Sequence, residues 1–542
     1  MTRAGQSVAA AMMLAAMLAA PAHSSIACAF APAANTARRA DGHFGRGTRC
    51  GRQRPASSLS SLRSIAVVPP QHNAGNTDAK VPSGAQGAAQ KMRVTSVAEF
   101  RKLVAEGGAL NTLEVVGDTA IPATADAHPV LQVLAQRRLE GSKPKQRKDQ
   151  FKVALAIEGG GMRGCVAAGM ASALIDAGLG DCFDEIYGSS AGALVAAYWL
   201  PNSFGMVQYG CSIYYDLLTD KNSKNFIDKT RALTLLGYGF ARYFTPRFFQ
   251  EVFGSRQKDL PLLNLDYLLR TCVEDMRPLD WEGFAARESL IPLHIVASDV
   301  VSKQAVVLDR KGGHWSNIRQ MTKCMRASMN LPAIAGPLVQ LDSIEGALLA
   351  DAQLYEPVPF KSALANGCTH VLVLRTRPDG IDCMPRPSKV EAGMMRNFFA
   401  EMPDVVDYLV GMKHKELYCQ DVLRLNAATQ TPPAQGAQLL TIAPPEGVAE
   451  IGRLERRREM IFDGVKEGYK TSVNLLKSQP GLWPESDTAT TPEQATERAF
   501  PVDLLSQEPA LSRSAWIDTY LERRAEFCEG GVGTAPFNTD SV

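Results

Sequence analysis

Two short stretches place a candidate nucleophile and a candidate anion cradle close together in the chain. In Gly188-Ser189-Ser190-Ala191-Gly192 a serine stands at the centre of a G-x-S-x-G pentapeptide. A serine in that pattern serves acyl transfer when a strand runs into it and a helix leaves it. Gly188 and Gly192 supply the small flanking residues that let strand and helix cross closely. Ser189 is a second hydroxyl one residue away, but the pattern exposes the central position, so Ser190 is the candidate. Upstream, Glu158-Gly159-Gly160-Gly161-Met162-Arg163-Gly164 presents backbone N–H groups at the start of a helix, where negative charge is favoured. The donors of Gly159, Gly160, Gly161, Met162, Arg163 and Gly164 are candidates for an oxyanion hole. A dinucleotide turn also fits G-x-G-x-x-G, but it needs an acidic residue at the end of a second strand about 20 residues on. Asp176 and Asp181 lie nearby without meeting that need. A Walker loop would end in Gly-Lys-Ser/Thr, which is absent. A tight turn without chemistry remains the plain alternative.

The elements around these motifs suit the acyl-transfer reading. Val153–Ile157 is a short apolar run fit for a strand buried on both faces of a parallel sheet. Residues 165–177 predict a helix of small residues ended by Gly178. Phe183–Tyr187 predicts the second strand, and 193–200 the helix after the elbow. A serine nucleophile needs a base, and four histidines follow Ser190: His294, His314, His370 and His414. His294 sits in a predicted strand interior, His314 in a Gly-Gly-His-Trp turn and His414 in a basic helical stretch. His370 precedes the strand Val371–Leu374 and stays open as a triad base.

The paired motifs, Glu158 to Gly164 and then Gly188 to Gly192, resemble those of patatin-like phospholipases. The resemblance covers roughly residues 151–380 and extends more weakly through Leu439–Pro445 and the predicted helix 453–476. It implies a three-layer α/β/α fold with a mainly parallel central sheet and a helical C-terminal part. It also implies a Ser-Asp dyad without histidine, whose aspartate follows a proline-containing segment; that position is Asp351, after Pro332 and Pro337. The family's small pair after the aspartate is replaced here by Ala352 and Gln353. Arg163 then orders the loop or meets an anionic headgroup, a surface arginine being the plain alternative. The implied activity is that of a lipid acyl hydrolase, phospholipase- or galactolipase-like, an ester hydrolase of EC 3.1.1 type that needs no cofactor. The alternatives are a non-lipase esterase or thioesterase on the same fold, and a catalytically weak lipid-binding protein, suggested by Ala352-Gln353.

The rest of the chain bounds these expectations. A net charge of +2 favours neither nucleic acid nor a polybasic membrane surface as partner. The eleven cysteines are irregularly spaced, with no CxxC pair and no metal-ligand cluster, so neither a disulfide framework nor a metal site is expected. Arg3 and the apolar run Val8–Ala20, stopped by Pro21, read as a signal peptide over 1–29. Ala27-Cys28-Ala29-Phe30-Ala31-Pro32 resembles the cleavage motif of bipartite presequences of complex plastids. The basic, acid-poor stretch that follows reads as transit peptide and linker over 30–80, which implies a plastid reached by the secretory route; a secreted or endomembrane protein is the alternative. A helical extension is expected over 81–150, ending in a solvated charged run, Lys143–Lys152. The catalytic domain follows over 151–380, its helical continuation over 381–480, and a tail of unassigned role over 481–542. The stretches 240–249 and 398–410 suit an acyl groove or peripheral membrane contact, and equally suit core packing. An acyl lipid is the expected partner.

Overall fold

The computed structural model describes residues 92–106, 113–115, 128–202, 205–220, 223–227, 261–381, 383–384, 387–506 and 513–529. The presequence expected over 1–80 and the stretch 240–249 lie outside these residues.

The first elements are strand β1 (Met92–Val94), helix α1 (Val97–Ala105) and strand β2 (Leu113–Val115), the two strands pairing in parallel. The extension expected to be helical therefore also carries a small strand pair. Helix α2 (Pro129–Leu139) starts on Pro129 at its first turn, which lacks only an N–H that would be unpaired anyway. It buries Val130, Leu131, Val133 and Leu134 in the main core, so the catalytic body begins before residue 151. The charged run is solvated only in part: Lys143, Lys145 and Lys148 are exposed, but buried Arg137 pairs with Asp149 and Asp184, each at 2.8 Å, and Arg147 joins Asp184 at 2.6 Å. These ions face inward because they tie α2 to the amino ends of two central strands of the sheet.

Strand β3 (Val153–Ile157) is buried at every residue, as its apolar run predicts. It leads through the glycine loop into helix α3 (Gly164–Asp176). Strand β4 (Glu185–Ser189) begins two residues later than its apolar pattern suggests. Asp184 stays outside because its carboxylate accepts the N–H of Val153 at 2.8 Å and holds the two arginines. Helix α4 (Ala191–Trp199) follows Ser190. Strand β5 (Leu293–Asp299) lies parallel to β4, and β6 (Gln304–Leu308) returns antiparallel to β5. Helix α5 (Ile318–Met329) then leads to β7 (Leu349–Ala350), a two-residue strand against the end of β5. Strand β8 (His370–Leu374), helix α6 (Lys413–Gln430) and strand β9 (Gln438–Ile442) complete the sheet, so the 381–480 segment contributes a strand as well as helices.

The sheet order is β6-β5-β4-β3-β8-β9, with β7 beside β5. Only β6 and β7 run antiparallel to their neighbour β5. Alternate residues of β3 point to opposite cores: Val153, Leu155 and Ile157 to one shared with α3 and α4, Ala154 and Ala156 to one shared with α6. This is the three-layer α/β/α arrangement, a mainly parallel sheet with helices on both faces. The chain moves from β3 to β4 and β5 on one side and later to β8 and β9 on the other. The carboxyl ends of β3, β4 and β8 thus meet at a topological switch point, where such sheets bind ligands.

Helix α7 (Arg458–Lys477) lies against α3 at backbone contact. A Cβ at Gly169 would stand 1.9 Å from the Val465 carbonyl oxygen, and one at Gly468 would stand 2.0 Å from that of Val166. Helices α8 (Pro492–Ala499) and α9 (Arg513–Glu529) continue inward rather than forming a tail. Trp483, Phe500, Trp516 and Tyr520 are buried in the main core, and Arg498 pairs with Asp487 out of solvent. Phe399, Val405 and Leu409 form a satellite core with Ala350 and Leu354, so in this stretch the packing alternative holds for those residues. Among the described residues no helix is long and apolar enough to cross a membrane.

Candidate active site

Ser190 sits between β4 and α4 with φ 50° and ψ −122°, a conformation that costs a non-glycine residue about 1–3 kcal/mol. The surroundings impose it. A Cβ at Gly192 would stand 2.2 Å from the Ile157 carbonyl oxygen, and one at Gly188 would stand 2.5 Å from Ala193 Cα. Strand and helix therefore cross with no space for larger residues, as the pentapeptide predicts. The N–H of Ser190 donates to Ser328 Oγ at 2.7 Å, and that hydroxyl donates in turn to the carbonyl of Val296. Ser189 points elsewhere: its fully buried hydroxyl donates to the Glu356 carbonyl at 2.8 Å. It is a structural hydroxyl.

Ser190 Oγ donates to Asp351 Oδ2 at 2.9 Å. Asp351 follows β7 and caps a single 3-10 turn, Ala352–Leu354, its Oδ1 accepting the N–H of Gln353 at 2.8 Å. Its own N–H donates to the Asn330 carbonyl at 3.0 Å, which fixes the backbone. Burial pushes this carboxyl up to about 6, against the opposing effects of the Gln353 N–H, the Ser190 hydroxyl and the Arg453 charge. Ala352 does not have a positive φ, so alanine in place of glycine brings no backbone strain there.

No described histidine is hydrogen-bonded to Ser190 Oγ, whose partner is Asp351. His370 opens β8 opposite Val153, at the amino end of the strands, whereas the elbow follows the carboxyl end of β4. His294 bonds Asp309 at 3.0 Å and stacks on Tyr187, and His314 bonds the Asp309 backbone. His414 lines the cavity, but burial and the charges of Lys415 and Arg453 push it down to about 3, so it is neutral.

The glycine loop is held from three sides. Gly159 N–H donates to the Pro357 carbonyl at 3.2 Å and Met162 N–H to the Arg453 carbonyl at 3.0 Å. Arg163 N–H turns back to Gly160, and Gly164 N–H to Gly161. Four of the six expected oxyanion donors are thus committed within the fold. The N–H groups of Gly160 and Gly161 have no partner among the described residues. Gly161 has φ +60°, and a Cβ there would meet the Arg453 carbonyl at 2.7 Å, so the tight apposition requires glycine. Glu158 accepts from Thr376 N and Oγ1 and from Tyr418 OH, at 2.5, 3.0 and 2.6 Å, binding the β3 loop to β8 and α6. Arg163 is buried and pairs with Glu450 at 3.1 Å, an ordering role for the loop.

Ser190, Asp351 and residues 158–163 line one cavity of about 130 Å³. Its lining includes an apolar set, Leu194, Leu218, Phe226, Leu263, Leu268 and Met329, and a cationic set, Arg163, Arg377, Lys415 and Arg453. Among the described residues no group of three or more His, Cys, Asp or Glu is placed to hold a metal ion, and Cys165, Cys182, Cys211, Cys272, Cys324, Cys368, Cys383 and Cys419 are buried and form no disulfide. Ser328, Asn330 and Arg453 are contributors that the sequence did not reveal. Each acts through a contact with a residue distant in the chain, and no local motif marks them.

Residues 155–364 match the family model of patatin-like phospholipases. The chain carries a patatin-like phospholipase domain. That domain contains β3 to β8 only in part, beginning inside β3 and ending before β8. It supports lipid acyl hydrolysis as the general activity. Among solved structures, VipD from Legionella pneumophila is similar at 11% identity over 71% of this chain and 81% of that chain, with a TM-score of 0.29. No curated protein is significantly similar.

Proposed function

We propose that the patatin-like domain hydrolyses acyl esters of lipids with Ser190 as nucleophile and Asp351 as its base. The observation that carries this reading is the 2.9 Å hydrogen bond from Ser190 Oγ to Asp351 Oδ2 in a cavity lined in part by apolar residues. Ser190 Oγ attacks the ester carbonyl carbon while its proton passes to Asp351 Oδ2. The carbonyl oxygen becomes an oxyanion, held by the N–H groups of Gly160 and Gly161 at the start of α3. Collapse breaks the ester C–O bond, and Asp351 returns the proton to the departing alcohol oxygen. Water then attacks the acyl-enzyme, Asp351 takes its proton, and the fatty acid leaves as Ser190 recovers its hydrogen.

A carboxylate with an ordinary pKa is a weak base. Held near about 6 by burial, Asp351 is better matched to serine and still mostly ionised at neutral pH. A positioned base contributes on the order of 10²–10⁴ in rate, and one oxyanion donor on the order of 10²–10³. The substrate class follows the expected location: galactolipids and phosphatidylglycerol if the presequence directs the chain to a plastid. The lipid-binding alternative drew on Ala352 and Gln353, and neither interrupts the Ser190–Asp351 bond.

A fluorophosphonate probe tests the assignment. Labelling mapped to Ser190, and lost in Ser190→Ala, supports it. Absence of labelling in folded wild-type protein counts against an active nucleophile.

A further inference from the structure

Among the cations that line the cavity, Arg453 differs from its arginine neighbours in having no carboxylate at ion-pair distance. Arg163 and Arg377 share Glu450, at 3.1 and 2.8 Å. Of the two carboxylates that line the cavity, Glu158 is occupied by Thr376 and Tyr418 and Asp351 by Ser190 and Gln353. Arg453 has no carboxylate at ion-pair distance among the described residues, Asp351 and Glu450 acting on it only from farther away; its Nη1 donates instead to the neutral Oε1 of Gln353 at 2.8 Å. Desolvation in the cleft and the like charges of Arg163 and Arg377 push its guanidinium down to about 10, against the pull of Asp351 and Glu450. It remains charged at neutral pH. The neighbouring His414 is neutral, so it adds no further charge to the cavity.

The position of Arg453 is built rather than incidental. Its carbonyl holds the Met162 N–H of the glycine loop, and its side chain is held by Gln353. Gln353 in turn gives its own N–H to Asp351. The residue that replaces a small one beside Asp351 therefore bridges the base and the cation through two different atoms. A neutral amide orients the guanidinium while leaving its charge and its other donors for a ligand. A carboxylate in the same place would consume both.

We propose that Arg453, positioned by Gln353, is an anion subsite that receives the phosphate of a glycerophospholipid headgroup while the acyl chain lies along the apolar lining. The proposal deepens the hydrolase reading and takes its substrate orientation from it. Arg453 is a specificity determinant that contacts the ligand; Gln353 is a positioning residue.

Binding to the Ser190→Ala form of the full chain tests this without turnover. The probes are a short-chain phosphatidylglycerol and the matching diacylglycerol, both monomeric, titrated at low salt. The phospholipid should bind roughly tenfold or more tightly, the scale of one charge-assisted contact. Arg453→Gln should remove most of that difference. Gln353→Glu keeps a hydrogen bond to Arg453 but neutralises it, and should also erase the preference; a purely structural role for Gln353 would leave it unchanged. Equal affinity for the two lipids, or a preference that survives both substitutions, overturns the subsite. Inorganic phosphate should displace the phospholipid only weakly, and displacement at comparable concentration would overturn the headgroup assignment in favour of a free-phosphate site. Because nothing is turned over, these outcomes are independent of fluorophosphonate labelling of the wild type, which tests the nucleophile.

Discussion

The N–H of Ser190 is held by the hydroxyl of Ser328 at 2.7 Å, a contact between the nucleophile elbow and the end of α5. Ser190 is in a strained conformation, so the bond helps keep it there. Both groups are buried. Ser328→Ala should leave the Ser190 N–H unsatisfied, costing about 1–3 kcal/mol in chemical denaturation. Turnover should fall without abolishing fluorophosphonate labelling, because Ser190 and Asp351 both remain.

Backbone strain at the elbow gives a second expectation. Glycine tolerates the Ser190 conformation, whereas alanine does not. Ser190→Gly should therefore be more stable than Ser190→Ala by about 1 kcal/mol, and both should be inactive. Equal melting temperatures for the two variants would contradict a strained elbow.

The raised carboxyl of Asp351 ties activity and stability to pH. In the proposed mechanism the ionised form is the base, so kcat/KM should rise with pH through a midpoint near the folded value of about 6. Stability runs the other way. A buried carboxyl raised from 3.8 to about 6 favours the folded state at low pH, and that contribution is lost as pH rises through about 6. The loss is about 3 kcal/mol at most. Asp351→Asn should accordingly gain stability over wild type above about pH 7, with the gain vanishing towards pH 4, as denaturation across that range would measure.

Contact between α3 and α7 predicts a strong packing effect far from the chemistry. A Cβ at Gly468 would stand 2.0 Å from the Val166 carbonyl oxygen, and the obstacle is backbone. Gly468→Ala should force the helices apart and destabilise the domain by more than about 3 kcal/mol, read from its denaturation midpoint.

Much of the site was legible because its parts are local. Val153–Ile157 is a continuous apolar run, the glycine loop follows it directly, and Gly188 to Gly192 carry the steric demand of a crossing strand and helix. The carboxylate came from family resemblance, and only the folded chain brings Asp351 to Ser190 across 161 residues of sequence. Arg453 and Ser328 left no such mark. Each is an ordinary residue type made important by one contact across the fold. Composition misled at both ends of the domain: Arg147 and Asp149 lie in a charged run yet pair inward, and Trp483, Phe500 and Trp516 are spread thinly through polar sequence yet fill the core. Periodicity records a continuous buried face, and Trp483 in a bend, Phe500 just past the end of α8 and Trp516 in a mostly polar helix do not produce one.

The most direct test is fatty-acid release from a lipid panel by purified wild type, Ser190→Ala and Asp351→Asn. Asparagine preserves the shape of the side chain and can still accept the Gln353 N–H, but it cannot take a proton from Ser190. The expected result is release by the wild type, none above background from Ser190→Ala, and a fall of on the order of 10²–10⁴ in kcat for Asp351→Asn with its fold intact. Near wild-type release from folded Asp351→Asn would contradict the Ser190–Asp351 dyad.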